Sequence, residues 1–210
     1  MDANEIDALA RTIADARRSG KPMDVAAAIG DLSESDAYTV QFAVHDRICA
    51  NGADKVAGWK VALTLPHQYE PLRLSGPVFA AIYQSGIRQS GAVFAPGYPI
   101  KPGIEPELVA RMARDVPISD WPHTWESIGG YIGSLHCGME LVDNRYVDVA
   151  KVGGPGRIAD NVLQAACVLG TEIKDWHKLE PGGTYRIRID RLVAKGGRDE
   201  GVEARFENLK

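Results

Sequence analysis

The sequence predicts an α+β protein, and three observations carry that prediction. Apolar residues recur at helical spacing through two segments before residue 51. Beyond residue 55 the chain turns to short runs that are rich in β-formers or alternate between apolar and polar residues. No internal repeat or low-complexity segment interrupts this order. The division falls between a helical N-terminal segment over 1–52 and a strand-rich unit over 53–210, the two forming one functional unit.

The first helix is expected over Asn4 to Ser19, where Ile6, Leu9, Ala10, Ile13 and Ala16 share a face and Gly20 supplies a stop. The second is expected over Ser33 to Ala50, capped by Ser33 or Ser35, with Ala37, Val40, Gln41, Val44 and Ile48 inward. His45 lies on or beside that face, where a lone histidine is first of all a packing residue.

The strands come next. Val56 to Leu65 (VAGWKVALTL) is a β-rich run with Lys60 inside it. Strict alternation sets Lys60 with Ala62 and Thr64, opposite Trp59, Val61 and Leu63, which are expected to fill the core behind. Just past it, His67 and Glu70 are spaced H-x-x-E, which one helical turn brings into contact as a candidate base and its orienting acid. Short strands are expected at Val78–Tyr83 and Ala92–Phe94, and a loop at Ile118–Trp125. The glycine-rich stretch Ile128 to Leu135 is expected as a helix, with a strand over Gly138 to Asp143 after it. Asp160-Asn161 opens an apolar run from Val162 to Leu169. Thr184 to Leu192 alternates as a strand with one wet face, Gly196-Gly197 marks a turn, and Val202 to Phe206 is the last strand.

The chemistry concentrates in Lys101 to Arg111, KPGIEPELVAR. Glu105 and Glu107 are two apart in a strand-like run and so point to one face, with Ile104 and Leu108 on the other. Like charges that close repel and resist desolvation, and a cation between them removes both problems. Hard divalent cations such as Mg²⁺ and Mn²⁺ take oxygen ligands and suit such a pair. A third acid, Glu140, sits in the apolar run Gly138-Met139-Glu140-Leu141-Val142, where a carboxylate needs a partner. The bland alternative is a solvated strand face with an unrelated surface glutamate.

The bulk composition excludes other classes. The 210 residues, 45% hydrophobic and 25% charged, suit one globular domain with or without a small appendage. A net charge of −4 with scattered basic residues argues against nucleic acid. Cys49, Cys137 and Cys167 form no CxxC, which speaks against a zinc cage or disulfide framework and for a reducing compartment. The acidic amphipathic N-terminus does not read as a secretory signal, and no apolar run reaches membrane-spanning length. A cytoplasmic location is expected.

Five stretches in register resemble a known family: LSESDAYTVQ (32–41), GWKVALT (58–64), IEPELVARM (104–112), MELVDNRY (139–146) and ADNVLQAACVLG (159–170). They resemble the 2-keto-4-pentenoate hydratase and 4-oxalocrotonate decarboxylase branch of the fumarylacetoacetate hydrolase superfamily. The likeness covers about residues 1–175. It implies a twisted mixed β-roll around a metal site, with a helical N-terminal segment. It implies metal ligands at Glu105, Glu107 and Glu140, an active-site lysine at Lys60, and a 2-oxo acid substrate chelating Mg²⁺ or Mn²⁺. A metal on the 2-oxo group stabilises a dienolate, which serves either hydration or decarboxylation. Lys60 would offset ligand charge there and move a proton if desolvated.

The chain departs from the family pattern in three places. Where the family carries an acid before its PxF element, LRLSGPVFA has Ser75 or Gly76, and a serine cannot replace a carboxylate base. Val162-Leu163-Gln164 follows Asp160-Asn161 in place of small residues that include serine. The C-terminal part is shorter than the family pattern, which leaves strand edges to be covered by a partner or by the tail from Leu179. Three readings result: a lyase acting on a 2-oxo acid, a carbon–carbon hydrolase of acylpyruvates using His67 and Glu70, or a non-catalytic partner subunit retaining the metal shell. A homo-oligomer, or assembly with a paired homologous subunit, is expected, with no membrane or nucleic-acid partner.

Overall fold

The computed structural model describes residues 1–29, 32–95, 97–120, 122–179, 189–194 and 202–206. In chain order the helices are α1 (Ala3–Ser19), α2 (Ala26–Ile29), α3 (Glu34–Cys49), α4 (Pro66–Tyr69), α5 (Trp125–Gly129) and α6 (Gly153–Ala159). The strands are β1 (Val56–Ala62), β2 (Val78–Tyr83), β3 (Ile87–Gln89), β4 (Ala92–Val93), β5 (Pro102–Met112), β6 (Ile132–Asp143), β7 (Gln164–Glu172), β8 (Ile189–Ala194) and β9 (Val202–Phe206). The mixture of helix and strand agrees with the expected class.

Local signals set the helix ends. The Asp2 carboxylate accepts from the N–H groups of Asn4 and Glu5, and Glu5 accepts in return from the Asp2 N–H. Gly20 closes α1 in the left-handed region at φ 64°, a conformation open to glycine without penalty. Ser33 caps α3 by accepting from the Asp36 N–H. Both helices bury the faces their periodicity marks, α1 through Leu9, Ala10, Ile13, Ala14 and Ala16, and α3 through Ala37, Val40, Gln41, Val44 and His45. This core continues into Val78 and Ala80 of β2 and Ile158 and Ala159 of α6, so the N-terminal helices share one core with later elements of the chain.

The central sheet has the order β3-β7-β6-β5, with β5–β6 and β6–β7 antiparallel and β3–β7 parallel. One face packs on a second core of Phe94, Cys137, Met139, Leu141, Ala166 and Val168. β1 and β2 form a separate antiparallel pair, with Lys60 opposite Ala80. β4, β9 and β8 form a third sheet. Of the expected strand over Thr184–Leu192, the part from Ile189 onward lies in β8; residues 184–188 and the Gly196-Gly197 turn lie outside the described residues. No helix among the described residues is long and apolar enough to cross a membrane.

Two expectations are corrected. Ile128 to Leu135 is not a helix: α5 ends at Gly129, and β6 begins at Ile132. Pairing with β5, which runs from Pro102 opposite Asp143 to Met112 opposite Ile132, holds the glycine-rich stretch extended. A β-carbon at Gly138 would come 2.4 Å from Val109 Cγ2, so this close crossing admits only glycine without rearrangement. The second correction concerns β1. Trp59 and Val61 do not fill a core but stand 53% and 61% exposed, because α3 covers the β2 half of that face, where Tyr38 stacks on Phe79 and Ala81 is buried, and leaves the β1 half largely open. Trp59 packs edge-on against Phe79 there. Leu63 leaves the alternation at φ 55° and packs partly into the helical core.

A buried ionic network ties α1 to the ends of β6 and α6. Asp160 accepts from Arg17 at 2.9 Å and from Arg145 at 3.1 Å, and both arginines also donate to the Gln164 carbonyl, at 2.8 and 3.2 Å. The carboxylate and both guanidinium groups are almost fully buried. Three consecutive left-handed residues come next, Asn161, Val162 and Leu163, with φ of 54°, 49° and 61°. Such a conformation is costly for a β-branched residue. Asn161 holds it by exchanging hydrogen bonds with both backbone groups of Ala81 at 2.8 Å, while His45 Nε2 lies 3.0 Å from Asn161 Oδ1.

Removing Asp160 leaves the buried Arg17 guanidinium without its carboxylate and Arg145 with Asp143 alone. Asp160→Ala is expected to destabilise the fold by about 3–5 kcal/mol, read as a lower urea midpoint. His45 yields a second prediction. Burial is the main cause holding its pKa below the ordinary 6.5, against the opposing Asn161 hydrogen bond. The unfolded chain therefore binds this proton more readily, so stability falls as pH drops below about 6.5. His45→Gln should flatten that part of a stability-versus-pH curve.

Candidate metal centre

The register of β5 and β6 builds the site. Glu105 stands directly opposite Glu140 and Glu107 opposite Gly138, so pairing and strand alternation set all three glutamates on one face. One ligand oxygen from each of Glu105, Glu107 and Glu140 lies within 4.8 Å of the others. Directly opposed residues share a face, so these three occupy the side of the sheet away from the Met139–Leu141 core. Burial deepens from Glu105, exposed, through Glu107 to Glu140, 5% exposed.

Lys60 approaches this face from β1, and its Nζ donates to Glu140 Oε1 in a buried ion pair. Ala80, opposite Lys60 on β2, is buried and small. Burial pushes the Glu140 carboxyl up to about 7, with Lys60 opposing the rise and Glu105 and Glu107 adding to it. Burial also raises Glu107, as does the neighbouring Glu105 charge, while Lys60 lowers it. Such a group of negative charges in a partly dry site is what a hard divalent cation relieves. The donor set, all carboxylate oxygen, fits Mg²⁺ or Mn²⁺.

Among the described residues, neither His67 nor Glu70 makes a hydrogen bond or ion pair with Lys60 or the three glutamates. Both are exposed, on α4 and the turn after it, and no hydrogen bond or ion pair among the described residues joins them. Ser75, at the place where the family acid is absent, is exposed and donates through N–H and Oγ to the Glu34 carboxylate, each at 2.9 Å. The residue pattern alone missed two further residues on the carboxylate face. Cys167 of β7 is buried directly opposite Glu140, with its thiol pushed up to about 11 by burial and then by Glu140 and Glu107. His136, four residues before Glu140 on β6, shares its face. Cys167 carries no local signal, because cross-strand pairing relates residues distant in sequence, whereas the two-residue period of β6 alone sets His136 on the face of Glu140.

Fold and site together define a mixed helix-and-strand protein whose central sheet presents a carboxylate cluster suited to a divalent cation. The chain is similar to proteins named 2-keto-4-pentenoate hydratase from Burkholderia vietnamiensis (strain G4) and Paraburkholderia phymatum, at 28% and 27% identity over 173 residues. That span is 81% of this chain but 64% of the length of the curated relatives it matches. Its fold matches 4-oxalocrotonate decarboxylase from Pseudomonas putida G7 complexed with magnesium and adipate, with a TM-score of 0.70 at 22% identity over 81% of this chain and 64% of that one. The same decarboxylase complexed with calcium and acetate matches with a TM-score of 0.68 at 22% identity over 81% and 63%. No protein-family model matches the sequence. The likeness is thus to the hydratase and decarboxylase branch that the five sequence motifs resemble.

Cation binding must compete with the proton on Glu140. Because that carboxyl titrates near pH 7, Mn²⁺ affinity is expected to strengthen as pH rises through about 7 and to level off above it. Calorimetry at several pH values checks this. Glu140→Gln should weaken Mn²⁺ by at least about tenfold and flatten the pH profile.

Proposed function

We propose that the protein is a divalent-cation-dependent lyase, a hydratase or decarboxylase, acting on a 2-oxo acid. The observation that carries this reading is the convergence of Glu105, Glu107 and Glu140 within 4.8 Å beside the Lys60 ammonium. Similarity to proteins named hydratase and to a decarboxylase fold supports it. Glu105, Glu107 and Glu140 would hold Mg²⁺ or Mn²⁺, which supplies Lewis acidity toward a 2-oxo oxygen.

The chain's own residues do the rest. With a cation present, Glu140 no longer depends on Lys60 for charge balance. Lys60 Nζ is then free to turn one of its three donors to the carboxylate of the acid and to stabilise negative charge that develops on the substrate. Burial of the Lys60–Glu140 pair keeps water from screening that interaction. The hydrolase alternative would use His67 and Glu70 as a hydrogen-bonded pair, and no observation favours it.

The test is turnover of a conjugated 2-hydroxydienoic acid by the Mg²⁺-loaded protein, followed as loss of its ultraviolet absorbance. Turnover that disappears with chelator and with Glu140→Gln is expected; a metal-loaded protein inert toward both dienoate and 2-oxo-dicarboxylate substrates would exclude the lyase reading. Lys60→Met is expected to weaken oxalate binding to the metal-loaded protein by about 1–3 kcal/mol, the scale of one lost charge-assisted contact, while leaving the cation bound. Calorimetric titration of oxalate measures it.

A further inference from the structure

β5 is the outermost strand of the central sheet, and among the described residues no strand pairs with its second edge. The Asn144 N–H donates to the Lys101 carbonyl at 3.2 Å, and past the other end of β5 the Ala113 N–H donates to the Tyr131 carbonyl at 2.8 Å. Backbone groups point to alternate sides along a strand. The odd-numbered residues of β5 therefore direct theirs to β6, and Ile104, Pro106, Leu108, Ala110 and Met112 direct theirs to the open edge. Pro102 and Pro106 both belong to the outward set, where a missing N–H takes nothing from the β5–β6 ladder.

Side chains sort by the same alternation. The outward set lies on the face away from the carboxylates; its Leu108 and Met112 stand 47% and 44% exposed, and Pro106 and Ala110 are exposed as well. The other face carries Glu105, Glu107, Val109 and Arg111. A long, unpaired edge with apolar side chains is a template for another strand. Two copies of one chain meet on such an edge antiparallel across a two-fold axis, and their faces match only when the axis falls on a residue rather than between two. An axis at 105, 106 or 107 sets acid against acid, at 105 on itself, 105 on 107 or 107 on itself. An axis at Leu108 sets Arg111 against the partner's Glu105 on one face, twice by symmetry. On the other face it sets Leu108 on Leu108, Pro106 on Ala110 and Ile104 on Met112, so residues 104–112 of each strand overlap. An axis at 109 also opposes Arg111 to a glutamate, the half-buried Glu107, but overlaps only 106–112.

We propose that β5 is a homodimer interface: two copies pair edge to edge and antiparallel with the two-fold axis at Leu108, joining their central sheets into one and setting Arg111 of each copy against the partner's Glu105. A second copy is the occupant because the strand is its own complement in charge and in apolar side chains. Opposite charges and apolar residues directly across a strand pair stabilise it, and like charges destabilise it, which selects this register. The backbone agrees. The two Leu108 residues exchange both of their hydrogen bonds, as do Ile104 and Met112, and the Ala110 N–H donates to the partner's Pro106 carbonyl. Only the Ala110 carbonyls lack a donor, because Pro106 has none to give. Arg111 and Glu105 are both exposed in the single chain, so each is free to turn to the other copy. The pairing stands independently of the reading of the glutamates as a metal centre.

Sedimentation velocity of the full chain, followed from about 1 to about 100 μM, tests it together with a cross-link. Wild type should form a species of twice the chain's mass within that range. Arg111→Glu, which sets like charges across both symmetric pairs, should weaken the dimer at least about tenfold. The exchange Glu105→Arg with Arg111→Glu should restore it. Leu108→Cys should form a disulfide between copies under mild oxidation, since directly opposed residues lie about 5.5 Å apart between Cα atoms. That variant is made with Cys137→Ala, because Cys137 stands opposite Leu108 on β6. Ala110→Cys in the same background should not cross-link, because Ala110 faces Pro106 of the partner. Where Arg111→Glu fails to fold, the two cysteine variants decide. A single-chain species throughout the range overturns the proposal. So does a dimer that survives Arg111→Glu unchanged, or one that does not cross-link through position 108, since such a dimer uses another face or register.

Discussion

The antiparallel register between β5 and β6 is the constraint on which the site depends. Glu105 meets Glu140 because Pro102 pairs with Asp143 and every residue between keeps step. A slip of one residue would turn Glu105 and Glu107 into the core of Met139 and Leu141, since side chains alternate across a strand. Glycine at 138 and valine at 109 make that register self-consistent. The valine methyl fills the place of a missing side chain, and a larger residue at 138 would force the strands apart.

Convergence of carboxylates costs free energy, and the structure offsets part of it without a cation. Lys60 pairs with the most buried of the three, yet Glu140 still titrates near pH 7, so desolvation outweighs a single ammonium. Three carboxylates beside one ammonium form a group of negative charge of the kind that a hard divalent cation would relieve.

The adjoining end of the sheet, where β6 stops and β7 starts, is held by a different set of charges. Arg17 of α1 and Arg145 after β6 both reach Asp160, and Asn161 clamps β2 from the neighbouring position. The Asp-Asn pair that resembles a family motif is thus a structural hub here. It fixes the start of β7, and through β7 the position of Cys167 beside Glu140. The left-handed run through Val162 and Leu163 persists because both sides of it are held.

Much of this was legible in the residues themselves. Helix periodicity marked α1 and α3, and Asp2, Ser33 and Gly20 act within one turn of themselves, which local chemistry suffices to specify. Glu105 and Glu107 were readable as a same-face pair because the two-residue period of a strand is local too. Ile132 to Leu135 misled, since Gly133 has weak preferences of its own and pairing with β5 decided the conformation of the stretch. Trp59 and Val61 misled because alternation reveals that a strand has two faces but not which one the rest of the chain will cover. The meeting of Glu140 with Glu105, of Lys60 with Glu140 and of Asp160 with two arginines belongs to the tertiary structure alone. Each joins residues far apart in sequence, and only strand register and layer packing determine which distant side chains share one place.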